Sequence, residues 1–120
     1  VKASEFVGLL FLARDVTHSV HLNTRSYAKH MALGSFYDGI VGLADTFAEA
    51  YQGRHGLIGA VALLSIDKTA NVTEFLERQL KTIESNRYKV CEKDDAPLQA
   101  LIDDIVALYL STLYKLRFLS

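Results

Sequence analysis

The fold predicted for this chain of 120 residues is an all-α, four-helix bundle, on three observations. Half of the residues are apolar, and there are only seven glycines and one proline to interrupt long elements. The apolar residues fall into four long stretches at helical spacing, and short polar breaks separate them. Four main helices joined by short links make a bundle with one core, so 1–120 is read as one domain. The apolar share is high for so short a chain and predicts surplus surface for self-association.

The first helix is read from residue 4 to about 24, with Val7, Leu10, Phe11, Val16 and Val20 along its apolar side. Asn23, Thr24 and Ser26 break it, and the Ser26 hydroxyl can accept from a first-turn N–H of the next helix. That second helix runs from Tyr27 to Gln52 and carries Met31, Leu33, Phe36, Ile40, Val41, Ala44 and Phe47. Gly34, Gly39 and Gly42 lie inside it at about 1 kcal/mol each relative to Ala, which predicts close backbone approach to a neighbouring helix. Gly53 and Gly56 end it, and LIGAVALLS (57–65) is read as a short connecting helix that needs covering. Asn71 with Glu74 three residues later marks a capped start for the third helix, which ends near Tyr88. The run KDD (93–95) and Pro97 open the fourth: acids suit the positive end of the helix dipole, and the missing proline N–H is harmless in a first turn. Leu98, Leu101, Ile102, Ile105, Val106, Tyr109, Leu113, Leu116 and Leu119 form its buried stripe.

Chemistry concentrates in His18, His21 and His30, followed by Asp45 and Glu49. Imidazoles with carboxylates are a ligand set for iron, manganese or zinc. His18 and His21 are neighbours on the first helix, and Asp45 and Glu49 share a face one turn apart on the second. At ~1.5 Å per residue, His30 and Asp45 stand roughly 22 Å apart on one straight helix, too far for any single ion. Their helical angles are close: Asp45 and Glu49 lie about 60° and 100° round from His30. Two second helices packed antiparallel about a two-fold axis would therefore bring His30 of one copy towards Asp45 and Glu49 of the other. The expected site is shared between subunits and requires a homodimer.

These residues carry a resemblance. HSVHLN (18–23), then His30, then DTFAE (45–49) is similar to the Dps-type miniferritins of the ferritin-like superfamily. That family has an HxxHWN segment late in its first helix, where Leu22 replaces the tryptophan here. A histidine early in its second helix precedes a DxxxE pair at the same offsets. GRHGLIG (53–59) and TLYKLRFL (112–119) resemble its connecting segment and final helix. The resemblance implies a ferritin-like bundle whose ferroxidase centre uses His21 and His30 from one subunit and Asp45 and Glu49 from its partner. It implies oxidation of iron(II) by peroxide or oxygen and storage of ferric oxide in a hollow dodecameric shell. The chain departs from the pattern at Gly34, where the family has an aspartate, with Asp38 one turn beyond as a substitute. His18 is a further, weaker candidate. The link from His21 to His30 is shorter than usual, and the family's basic DNA-holding tail is missing.

The net charge is −1 with both signs interspersed, so DNA binding is not expected. The lone Cys91 excludes an internal disulfide and suits a reducing compartment. Phe6–Ala13 is too short to span a bilayer and lacks the flanks of a signal peptide, so a cytoplasmic location without membrane contact is expected. His55 is read as structural, Tyr27, Tyr37, Tyr51, Tyr109 and Tyr114 as core or interface residues, and Cys91, in a charged loop without a partner, as incidental. Glu-x-x-His, CxxC, HExxH, phosphate-loop and dinucleotide motifs are absent. The competing expectation is a ferritin-like structural or assembly module without a working metal site.

Overall fold

The computed structural model describes residues 2–67 and 71–120. Four helices follow one another, α1 (Ala3–Asn23), α2 (Tyr27–His55), α3 (Val72–Val90) and α4 (Ala96–Phe118), and there is no strand among the described residues. The molecule measures 44 × 26 × 21 Å, and its long axis matches the ~43 Å of a 29-residue helix such as α2.

The helix starts follow the capping residues. Ser26 accepts from Lys29 N at 3.2 Å, Asn71 from Glu74 N at 3.1 Å, and Asp95 from Leu98 N at 3.3 Å. Each satisfies an N–H that the helix itself leaves unpaired. Inside, α1 packs against α2 and α3, and α4 against the same two. Phe6, Leu10, Leu33, Phe36, Ile40, Phe47, Leu76, Ile83, Ile102, Ile105 and Tyr109 are all but completely buried. One polar chain crosses this core: the Tyr109 hydroxyl donates to Gln79 Oε1 at 2.6 Å, and Gln79 Nε2 donates to the Leu9 carbonyl at 3.1 Å. It satisfies buried polar groups on α4, α3 and α1 together.

The segment 57–65 is not a helix. It forms part of a strap that leaves the α2 C-terminus near Lys2 and Ser4 and reaches the other end of the molecule beside Asn23 and Thr24. Reach is the physical reason, because nine helical residues would advance only roughly 14 Å, whereas extended chain gains up to ~3.3 Å per residue. Gly56 and Gly59, with φ of 91° and 80°, turn the chain out of helical conformation at its start. Gly8 lets the strap lie against α1: a Cβ there would overlap the Ala62 carbonyl oxygen. Since the strap runs the length of the bundle, α2 and α3 point the same way, and α1 and α4 point oppositely. The order is up-down-down-up with one long crossover.

Other details also depart from the sequence reading. Leu119 lies past the end of α4 and is exposed, as are Met31 and Val41 on α2. The α2 glycines do not share one role: Gly39 faces the Leu108 side chain, Gly34 faces a histidine ring, and Gly42 faces open space. Cys91 sits buried at the end of α3 rather than in an open loop. α4 is long and apolar enough to cross a membrane by length and composition, yet Leu98, Ile102, Ile105, Tyr109 and Leu113 bury its inner face in the bundle.

Candidate metal half-sites on the first hairpin

The α1–α2 turn brings His21 and His30 together at its base. Their rings stack with centroids 3.8 Å apart and planes 18° from parallel. His21 Nδ1 donates to the His30 carbonyl at 2.6 Å, and His30 Nδ1 donates to the His21 carbonyl at 2.9 Å. A carbonyl oxygen only accepts, so each Nδ1 carries the proton, and in the neutral ring the lone pair sits on Nε2. Neither Nε2 has a hydrogen-bond partner among the described residues. Both rings are half-buried.

Around this pair, His18 meets the Tyr37 ring edge-on at 4.1 Å, and Tyr37 lies 5.1 Å from His21. The Arg14 guanidinium sits 5.9 Å from the Tyr37 ring centre while it pairs with Asp15. The His18 and His21 rings are 6.2 Å apart, so His18 borders the pair without joining the stack. In the sequence Tyr37 reads only as a core or interface residue of the second helix. Its ten-residue distance past Tyr27 carries no pattern, and only the hairpin packing places it there.

Asp45 and Glu49 lie further along α2, exposed and without a side-chain partner among the described residues. Asp38 is exposed as well. Both carboxylates share one unbroken helix with His30, so the candidate set divides into an imidazole half-site and a carboxylate half-site. Among the described residues, no three His, Cys, Asp or Glu side chains converge enough to hold a metal ion. Within one copy the two halves stay apart.

Position 34, where an aspartate would be expected from the resemblance, is already occupied in space. A Cβ on Gly34 would stand 3.0 Å from His21 Cε1 and 3.2 Å from His21 Nδ1. The imidazole fills the room that a carboxylate side chain would need.

Residues 21–116 match the model of a protein family described as a family of unknown function, DUF5856. The chain belongs to that family. The matched range contains His21, His30, Asp45 and Glu49. The chain is also similar to an uncharacterized 14.6 kDa protein in the mobD-ri intergenic region of Enterobacteria phage T4. The two are 30% identical over 116 residues, which cover 96% of this chain and 88% of the relative. No solved structure matches the chain.

Proposed function

We propose that this family member is a ferritin-like, Dps-like protein that binds iron(II) at a site shared between two copies and oxidises it. His21 and His30 of one copy and Asp45 and Glu49 of the other would be the ligands. The observation that carries the reading is the pair of Nδ1–H donations across the hairpin. Ligating histidines commonly give their second nitrogen to a carbonyl, which fixes the tautomer and aims the other lone pair at the metal. The single long crossover supports the fold assignment, because ferritin-like bundles have that connectivity. Exposed Tyr27, Met31 and Val41 on α2 supply apolar contact area for an antiparallel homodimer, and further contacts of the same protein would close a dodecamer.

Imidazoles and carboxylates suit both oxidation states of iron, the substrate, and they accept zinc or manganese as competitors. With hydrogen peroxide as oxidant, two iron(II) ions give one electron each, and the peroxide takes up two protons and leaves as two waters. Dioxygen is the other oxidant. The work is cytoplasmic, with no membrane contact and no tight hold on DNA.

Anaerobic iron(II) titration followed by peroxide should give a saturable ferric absorbance that is lost in His30→Ala and in Asp45→Ala. Mixing those two variants is the decisive arm. A mixed dimer contains one fully native shared site of its two, and random re-pairing makes half of the dimers mixed, so about a quarter of the lost signal should return. No return on mixing would sink the shared site, and no binding above a surface-histidine control would sink the function.

One observation favours a second reading, a ferritin-like assembly module without iron chemistry. The His21 ring occupies the space where the resemblance implies an acid ligand. Solution mass separates the two readings in part: a twelve-subunit shell supports storage, whereas an iron-free dimer supports the module.

A further inference from the structure

We propose that Gly34 is the positioning residue of the histidine pair. By lacking a Cβ it leaves the space in which the His21 ring lies, and so decides which nitrogen of that ring is offered outward. The consequence for metal affinity rests on the function proposed above, whereas the consequence for the ring does not.

Gly34 lies one turn after His30 on α2, so the residue that stacks on His21 and the residue that makes room for it share one helix face. The atoms nearest a Cβ at 34 are His21 Cε1 at 3.0 Å and Nδ1 at 3.2 Å. Nδ1 is the atom that donates to the His30 carbonyl at 2.6 Å. The ring has little freedom to retreat. The His30 ring stacks on it at 3.8 Å, and Tyr37 lies at 5.1 Å. A methyl group at 34 therefore either compresses the stack or pulls Nδ1 off its carbonyl. Once that bond is lost the proton is free to move to Nε2, and the outward lone pair disappears.

The other α2 glycines separate this role from a general need for small residues. A Cβ at Gly42 meets nothing within 4 Å, and one at Gly39 meets only the branched end of Leu108 at 3.3 Å. If the glycines served only to loosen the helix, substitution at 34 and at 42 would act alike. Here they act in opposite directions, since alanine at an open helical position stabilises.

The test uses the full chain carrying Gly34→Ala or Gly42→Ala, with the ring nitrogens of His21 read by ¹⁵N NMR and iron(II) affinity read anaerobically. Gly34→Ala should convert His21 from the Nδ1–H form to a mixture and weaken iron(II) binding about tenfold or more. Gly42→Ala should do neither. In a second arm, Gly34→Ala should lower the melting temperature of the native sequence but raise it in a His21→Ala background, where the obstructing ring is gone. An unchanged His21 tautomer, or a melting shift of the same sign in both backgrounds, overturns the proposal. If the native protein binds no iron(II), the proposed function falls, and the tautomer and the sign reversal still decide the role of Gly34.

Discussion

Two hairpins close this bundle at opposite ends, and both are fastened by side chains that bond the main chain of the facing helix. At the α3–α4 end, Arg87 Nη2 donates to the Gln99 carbonyl at 2.9 Å, and Gln99 Nε2 donates back to the Arg87 carbonyl at 3.2 Å. Arg87 also reaches Gln99 Oε1 at 2.8 Å and Asp103 at 2.6 Å, while Arg54 ties the α2 end to Asp95 at 2.7 Å. Gln99 Nε2 has the Cys91 carbonyl, Cys91 Sγ and the Glu92 carbonyl within reach as well. At the α1–α2 end, His21 and His30 make the same kind of exchange and then stop, each Nε2 having no hydrogen-bond partner among the described residues. One fastening is saturated with internal partners and serves stability. The other holds lone pairs in reserve, which a purely structural fastening does not need.

Four measurements can break or sharpen that contrast, taken from the largest effect on stability to the smallest. Gln99→Ala strips a buried amide and leaves Arg87 short of partners, and chemical denaturation should show a loss of about 2–3 kcal/mol. Iron(II) binding should survive it, since the opposite hairpin is untouched. His21→Ala removes one half-buried bond, for about 1 kcal/mol in the same denaturation, and should abolish iron(II) binding. A smaller loss at Gln99 than at His21 would reverse the assignment of roles.

The third measurement is the alkaline limb of stability. Burial pushes the Cys91 thiol above its ordinary 9.0, with the Asp95 and Glu92 carboxylates adding to the rise against the opposing pull of Arg87. Burial alone pushes the Tyr109 hydroxyl above its ordinary 10.0. The unfolded chain releases these protons first while the folded chain keeps them, so stability falls as pH rises through the unfolded values. Melting temperature should start to drop near pH 9, and Cys91→Ala should delay that onset by about one pH unit, to the tyrosine alone. Fourth, Asp45→Asn should change stability by no more than about 0.5 kcal/mol, as expected for an exposed residue. It should nevertheless remove iron(II) binding, and equal binding by variant and native protein in the titration would detach the carboxylates from the site.

Much of the fold could be read in advance because its determinants are local. Ser26, Asn71 and Asp95 announce helix starts through side-chain oxygens placed three residues before the N–H they accept from. The apolar spacing of Leu98, Ile102, Ile105 and Tyr109 identifies a buried face without knowledge of what covers it. The strap departs from the helix expected over 57–65 because LIGAVALLS is apolar enough for a helix, whereas the demand for reach comes from the length of the bundle. Gly8 carries no local signature for the same reason, since Ala62 crosses it from more than fifty residues away. The His21–His30 fastening joins residues nine apart across a turn, a spacing with no helical meaning until two helices fold back on one another.

By itself, the sequence determined four helices, their capped starts, a split set of imidazoles and carboxylates, and the impossibility of joining that set on one chain. Those follow from helical rise, periodicity and capping, which act over a few residues. Only the tertiary structure decided the up-down-down-up order, the extended crossover, the tautomers of the two histidines and the use of Gly34 as the seat for an imidazole. Each of those depends on atoms brought together by packing, and packing is where residues distant in sequence first exert force on one another.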